Sequence, residues 1–270
     1  MVLLTKGSNP ALKRTAAPPL SSALCRLGFQ AIMKMVATAS AMGYRLRFSR
    51  CLLFTITLLI QVPTYAQELP SWPDTFVARL QALALIQTLN AEILSSRSAT
   101  LSLENWCRDH RLAAEPKILA HVVKDINKLP TAEQRQRLEV NAQDEVKYRR
   151  VQLRCGTRVL SEADNWYVPS RLTPEMNRLL ETTDTPFGKV VKPLEPYRRT
   201  FVAKLLWAPL PEGWERESGR LPTESSRALV IPDAVFEHRA VLYSRDHRPF
   251  SEVNEVYQRQ ILAFPPISQR

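Results

Sequence analysis

The feature that most constrains the fold of this chain is a pair of strand-like stretches joined by a two-residue turn. In residues 146–155 apolar and polar side chains alternate, which is typical of a β-strand with one buried face. Residues 159–168 form a second strand pattern, and Gly156-Thr157 between them predicts a tight turn. Strands joined by so short a connection are antiparallel, so the sequence predicts a hairpin. One face of the first strand carries Val151, Leu153 and Cys155, and the other carries Tyr148, Arg150, Gln152 and Arg154.

Further helix and strand patterns surround this hairpin. Helices are predicted over residues 74–95, with Asp74 as the cap, over residues 101–111, and from Thr173-Pro174 onwards. Strands are predicted over residues 116–126, 201–207, 234–244 and 251–264, with surface loops at 130–140 and 209–232. Hairpin-linked strands without βαβ alternation predict an α+β domain, in which helices pack on one side of an antiparallel sheet.

The charge distribution separates the first quarter of the chain from the rest. Residues 1–66 contain eight basic residues and no acidic ones, while residues 67–270 contain 29 basic and 26 acidic residues. Most of the net charge of +11 therefore belongs to the N-terminal segment. A domain with a net charge near +3 gives little electrostatic reason to expect nucleic-acid binding.

Residues 42–66 have the three parts of a secretory signal peptide. Three arginines precede a 12-residue apolar run at residues 51–62, which is too short for a stable membrane span, and Pro63 ends it. Cleavage is expected near Ala66, which predicts a periplasmic or secreted protein, or a cytoplasmic one if the signal is not used. Residues 1–41 are expected to be disordered or to precede the true start, and residues 67–270 to form the domain.

Strong chemical motifs are missing from the sequence. It has no phosphate-binding glycine loop, no paired histidines with zinc-site spacing and no GxSxG nucleophile elbow. Cys107 and Cys155 remain after signal cleavage, and they are either a disulfide or two buried thiols. Arginines are concentrated around the predicted strands, and an enclosed arginine would suit an anionic small molecule; the alternative is solvated surface charge. These arginines are Arg149, Arg150, Arg154, Arg171, Arg198, Arg199 and Arg239.

Residues 148–188 (YRRVQLRCGTRVLSEADNWYVPSRLTPEMNRLLETTDTPFG) resemble the chorismate pyruvate-lyase family, whose domain is shared with effector-binding domains of bacterial transcription regulators. The strand arginine, the hairpin, the helix opened by Leu172-Thr173 and the following TP-x-G loop all occur in the same order. His238-Arg239, Arg248-Pro249 and Glu255-Val256-Tyr257 resemble the family's final hairpin. The resemblance covers most of residues 95–264 and implies a chorismate-lyase-like fold.

The resemblance also implies an activity and a site. Family members convert chorismate to 4-hydroxybenzoate and pyruvate at the head of ubiquinone synthesis, without a metal or organic cofactor. The arginine that holds the ring carboxylate falls on Arg150, the apolar loop residue on Phe187, and the glutamate near the ring hydroxyl on Glu255. Arg150 and Glu255 are thus the expected catalytic residues, with Phe187 as a further substrate contact.

Two alternatives remain open at this point. The same fold could bind an aromatic carboxylate without turnover, or the exported domain could have only a structural or interaction role. Export itself conflicts with a substrate that is made in the cytoplasm. Glu252 is a rival to Glu255, but it lies three positions away and therefore on the opposite strand face.

Overall fold

A computed structural model describes residues 70–216 and 225–267. The predicted signal peptide at residues 42–66, and the segment before it, lie outside the described residues. In the described ranges, no helix is both long enough and apolar enough to cross a membrane.

The described chain contains five α-helices and eight strands. The helices are α1 (Phe76–Ser95), α2 (Ala99–Asp109), α3 (Ala132–Arg137), α4 (Pro174–Thr182) and α5 (Phe187–Val190). The strands are β1 (Pro73–Asp74), β2 (Ile118–Val123), β3 (Lys147–Cys155), β4 (Arg158–Tyr167), β5 (Tyr197–Leu205), β6 (Ser225–Ala228), β7 (Ala234–Tyr243) and β8 (Pro249–Gln258).

Six of these strands form one antiparallel sheet. Its order is β2-β3-β4-β8-β7-β5, and every neighbouring pair is antiparallel. The tight turn after Cys155 joins β3 to β4 as the sequence predicts, and Gly156 takes a positive φ of 57° there. The prediction of an α+β fold built on an antiparallel sheet is confirmed.

The two faces of the sheet have different surroundings. The inner face carries Val151, Leu153, Ala163 and Val253, which pack with buried residues of α1 and α2 in the main hydrophobic core. The outer face is more polar, and the short helix α3 approaches it through an ion pair between Arg137 and Glu252. The two long helices therefore lie on one side of the sheet, as predicted, while α3 contacts the other side.

Some element ends differ from the sequence predictions for local reasons. Thr75, not Asp74, caps α1, because its hydroxyl oxygen accepts a hydrogen bond from the Ala78 amide, and Asp74 instead pairs with Arg79 at 2.6 Å. The last strand ends at Gln258 and is followed by a 3₁₀ turn. Four residues of the expected 209–232 loop form β6, which pairs with β1.

Cys107 and Cys155 are joined by a disulfide, with their Cα atoms 6.2 Å apart. This bond connects the end of α2 to the end of β3 and resolves the alternative that the sequence leaves open. It holds the helix layer to the strand that also carries Arg149 and Arg150.

Candidate functional site

The inner face of the sheet contains a cavity of about 50 Å³, which we call the inner cavity. Its apolar walls come from the middle of the sheet, from Leu242 and from Phe187 at the start of α5. Three charged side chains of the sheet also line it: Arg149, Arg198 and Glu255. A single buried water needs roughly 10–15 Å³ of such space, so the inner cavity has room for about four water-sized groups, or one carboxylate.

Arg149 is the least compensated charge of this site. The residue is 6% exposed, and its Nη2 donates to the Thr185 carbonyl at 3.4 Å. Among the described residues no carboxylate pairs with it, and its buried Nε–H has no acceptor. Burial lowers the pKa of the Arg149 guanidinium, since the charged form has lost its water. The chain thus keeps a buried cation whose negative partner is not one of its own described side chains.

Arg198 differs from Arg149 because it has an acidic neighbour. Its Nη2 lies 2.7 Å from Glu255 Oε2, although this contact lacks the alignment of a hydrogen bond. Burial disfavours the Arg198 charge, but Glu255 more than offsets this and raises its pKa. Tyr257 donates its hydroxyl hydrogen to the same Glu255 oxygen at 2.9 Å. Burial, together with this carboxylate, raises the pKa of Tyr257 well above its ordinary value, so the phenol stays protonated.

His238 lies beside this group on the neighbouring strand, where it pairs in register with Glu255. Its ring is fully buried, its Nε2 is 2.7 Å from Asn90 Oδ1, and its Nδ1 has no partner among the described residues. Burial, and to a lesser extent Arg198, lowers the pKa of His238 to about 4. The imidazole is therefore neutral near pH 7, and Nε2–H is the donor to Asn90.

The N-terminus of α2 also borders the inner cavity. Ser98 caps this helix, and Ser98, Ala99 and Thr100 are all part of the cavity wall. The first amides of a helix lack intrahelical acceptors and carry the positive end of the helix dipole. Together with Arg149 they give the cavity a positive potential, which favours an anion.

A larger depression, which we call the outer chamber, lies next to the inner cavity. It has a volume of about 650 Å³ and shares Arg97, Ser98, Gly188 and Pro196 with the inner cavity. The remaining lining residues are Leu101, Glu104, Lys189, Lys192 and Glu195. The outer chamber is therefore a neighbour of the inner cavity with room for a much larger group.

The structure brings two of the three predicted site residues together. Phe187 and Glu255 line the inner cavity, but Arg150 does not. Its side chain lies on the outer face, where it pairs with Glu162 at 2.9 Å and Asp164 at 3.3 Å. Arg150 and Glu255 therefore do not share one cavity as predicted. Successive side chains of a strand point to opposite faces, so Arg149 points to the inner face with Glu255 and Arg150 points to the outer face. Glu252, the rival of Glu255, also lies on the outer face, where it pairs with Arg137.

Arg149 and Arg198 are the site residues that the sequence prediction did not single out. Both occur among the arginines concentrated near the strands. For Arg149 a signal was present, because strand alternation places it on the same face as Val151 and Leu153. Arg198 carries no comparable signal, since its contact with Glu255 depends on how β5, β7 and β8 pair.

One sequence comparison decides the family. The uncharacterized protein y4mC of Sinorhizobium fredii (strain NBRC 101917 / NGR234) is 47% identical over 224 residues, which cover 81% of this chain and 94% of y4mC. The chain belongs to the same family as y4mC. The sequence matches no model of a known protein family.

The solved structures similar to this chain include bacterial transcriptional regulators. The effector domain of PhnF from Mycobacterium smegmatis is 10% identical, with 57% of this chain and 88% of that chain covered at a TM-score of 0.35. A GntR-family transcriptional regulator from Enterococcus faecalis is 12% identical, covering 56% and 99% at 0.34. YydK from Bacillus subtilis is 14% identical, and the alignment spans 57% of this chain and 61% of YydK at 0.34. TM-scores this low assign neither a ligand nor a function.

Proposed function

We propose that this domain binds a small organic acid and holds its carboxylate on Arg149 in the inner cavity. The observation that carries the proposal is a buried guanidinium that no described carboxylate compensates. Leaving such a charge unpaired is costly, and a ligand carboxylate would remove the cost through charge-assisted hydrogen bonds.

The rest of the inner cavity fits the same ligand class. Arg198 and Glu255 balance each other, so the positive charges of the buried Arg149 and of the exposed Arg97 are left for the ligand. The helix α2 amides supply further positive potential. Phe187, Leu242 and Val253 offer apolar contacts to the carbon atoms next to the carboxylate. This arrangement favours an organic monoacid head over an inorganic anion.

Isothermal titration of the purified full-length protein with benzoate and 4-hydroxybenzoate tests this proposal. Arg149→Met should weaken binding by about 10- to 100-fold, because it removes the charge-assisted hydrogen bonds to the carboxylate. Arg150→Met is the matched control, since it alters the adjacent residue on the outer face and should leave affinity within about twofold. Equal losses in the two variants would contradict an inner-cavity site.

A second candidate function is cleavage of chorismate, because Glu255 lies in the same cavity as Arg149 and Phe187. If chorismate is the substrate, Arg149 rather than Arg150 holds the ring carboxylate, and the inner cavity has to widen beyond its present volume of about 50 Å³ to admit the ring. Glu255 accepts a hydrogen bond from the ring hydroxyl while the ether C–O bond to the ring breaks and the proton on the hydroxyl-bearing ring carbon moves to the methylene carbon of the enolpyruvyl group. The products are pyruvate and 4-hydroxybenzoate. The ion pair with Arg198 keeps the Glu255 carboxylate in place.

Pyruvate release from chorismate distinguishes the two candidates. A lyase should release pyruvate faster than the uncatalysed reaction, and Glu255→Gln should slow this release by about 10²-fold or more. Arg150→Met serves again as the control and should retain the rate. If 4-hydroxybenzoate stabilises the protein against heat while chorismate yields no extra pyruvate, binding without turnover is the function.

A further inference from the structure

The polar end of the inner cavity is built by two neighbouring strands. Arg149 of β3 pairs in register with Asn165 of β4, so the two side chains lie next to each other on the inner face. Asn165 is 5% exposed and lines the cavity. Its Oδ1 accepts a hydrogen bond from the Ser251 hydroxyl at 2.6 Å, and its amide hydrogens have no acceptor among the described residues. A buried guanidinium and a buried amide are therefore both able to donate to a carboxylate here.

The apolar part of the inner cavity begins one repeat further along the same strands. Val151 pairs with Ala163, and on the inner face these residues lie two positions, or about 7 Å, from Arg149 and Asn165. Val253 of β8 adds a third aliphatic side chain to the wall. All three belong to the main hydrophobic core, so this part of the cavity suits a short hydrocarbon group.

The remaining walls are closely packed. The ring centroid of Phe187 lies 5.7 Å from that of Tyr167 and 6.2 Å from that of Phe250, so the Phe187 ring cannot turn aside without disturbing this aromatic group. A Cβ atom added at Gly188 would lie 3.1 Å from Ser98 Oγ, which is closer than ordinary van der Waals contact. Helix α5 thus packs tightly against the start of α2 and closes the boundary between the inner cavity and the outer chamber.

The volume of the inner cavity limits the size of an acid that binds at Arg149. Its 50 Å³ correspond to about four water-sized groups. A carboxylate takes up most of this space and leaves room for one or two further carbon atoms. Acetate and propionate meet this limit, whereas the ring of benzoate requires packed walls to move apart.

We propose that the inner cavity is a site for a short-chain monocarboxylate such as acetate or propionate. The carboxylate accepts hydrogen bonds from Arg149 and Asn165, and the methyl end packs against Val151 and Ala163. This inference rests on the proposed acid-binding function and narrows the ligand class of the same site to the shortest acids.

A size series of monoacids tests the inference on the full-length protein. Formate, acetate, propionate, butyrate, hexanoate and benzoate are titrated calorimetrically at constant ionic strength, so that screening is the same for all of them. Acetate should bind about three- to fivefold more tightly than formate, because its methyl group is buried. Hexanoate and benzoate should bind about tenfold or more weakly than the best short acid, because they have to displace packed side chains.

The variant Ala163→Val tests the apolar part of the site. It adds two methyl groups inside the cavity, so acetate and propionate should lose about tenfold or more in affinity, while formate stays within about threefold. The substitution fills an empty space, so the melting temperature of the ligand-free protein should not fall. Ala203→Val is the matched control, because Ala203 is exposed on β5 and lies outside the inner cavity; it should leave every affinity unchanged.

The variant Asn165→Asp tests the polar end. The aspartate keeps an acceptor for Ser251 and supplies Arg149 with a carboxylate from the chain itself, so every acid of the series should lose about tenfold or more in affinity, whatever its length. Asn127→Asp makes the same change at an exposed position outside the inner cavity and should leave the affinities within about twofold.

The outcomes separate this inference from the proposed function. If benzoate or hexanoate binds at least as tightly as acetate and propionate, and Arg149→Met weakens this binding, the short-chain inference is wrong and the acid-binding function stands. If Ala163→Val weakens formate as much as acetate, or if Asn165→Asp leaves the affinities unchanged, the ligand does not lie where we place it and the inference fails. If no acid of the series binds, both proposals are overturned.

Discussion

Arg149 and Arg150 are neighbours on one strand, yet the two faces of the sheet treat their charges in opposite ways. On the outer face Arg150 keeps a quarter of its side chain exposed and lies between Glu162 and Asp164. On the inner face Arg149 is buried, and its described hydrogen-bond acceptor is one backbone carbonyl. On the outer face, neighbouring carboxylates compensate the charge of Arg150. On the inner face, no described carboxylate compensates the charge of Arg149.

The comparison of Arg149 with Arg150 indicates that the inner face of the sheet is less stable than it would be without the unpaired charge. An exposed ion pair contributes little either way, typically about 0–1 kcal/mol. A buried cation without a partner is a standing penalty, which binding of an anion would relieve. Proteins often carry such costs where they bind or react with other molecules, so the inner face is the better place to look for function.

The largest difference between the two faces is expected when one carboxylate is removed from each of them and the free energy of unfolding is measured. Glu255→Ala leaves the buried Arg198 uncompensated and removes the acceptor of Tyr257, so it should lower the free energy of unfolding by about 3–5 kcal/mol. Glu162→Ala should lower it by less than about 1 kcal/mol. Urea unfolding followed by tryptophan fluorescence measures both. Similar losses would mean that the two faces do not differ as described.

A second effect should appear on acidification. His238 has a pKa of about 4 in the folded protein and an ordinary value of 6.5, so between these values the unfolded chain binds a proton that the folded chain does not. The neutral His238 therefore contributes fully to the free energy of unfolding above pH 6.5. As the pH falls from 6.5 towards 4, the free energy of unfolding should decrease by about 3 kcal/mol.

The test of this effect compares the wild type with His238→Gln from pH 7 to pH 4. The variant has no titrating imidazole, so its free energy of unfolding should fall less steeply over this range. The exposed His247 provides the control, and His247→Gln should keep the wild-type slope. Parallel curves for wild type and His238→Gln would rule out His238 as the origin of the acid sensitivity.

The smallest effect should have the opposite sign. Arg149→Met replaces an uncompensated buried charge with an apolar side chain of similar length, so the ligand-free protein should become more stable by about 1–2 kcal/mol. Arg150→Met breaks partly exposed pairs and should destabilise by less than about 1 kcal/mol. If Arg149→Met instead destabilised the protein, the charge of Arg149 would have to be compensated in the folded state.

Much of the fold follows from local sequence patterns. The alternation in β3, the Gly156 turn and the spacing of apolar residues in α1 predict the hairpin and the long helix to within a few residues. The end of β8 is harder to predict, because the 3₁₀ turn that follows it contains Ile261 and Leu262, which are also buried. In the sequence, these buried apolar residues of the turn cannot be distinguished from a continuation of the strand.

The site is predicted less completely than the fold. Phe187 and Glu255 line the cavity as the family resemblance implies, but that resemblance selects Arg150, while strand alternation selects Arg149. The alternation is the better guide, because the face of a side chain is set by the pleat of the strand. Arg198 and His238 could not be predicted, because their contacts join positions that are far apart in the sequence, Arg198 with Glu255 and His238 with Asn90.

The disulfide between Cys107 and Cys155 has a consequence for a cut chain. These cysteines are 48 positions apart in the sequence, and the chain between them includes the surface loop around Leu129, which is 84% exposed. A protease that cleaves this loop would leave two fragments still joined through sulfur. The fragment with α1, α2 and β2 would stay attached to the strand bearing Arg149, so a nicked molecule would separate on a gel only after reduction.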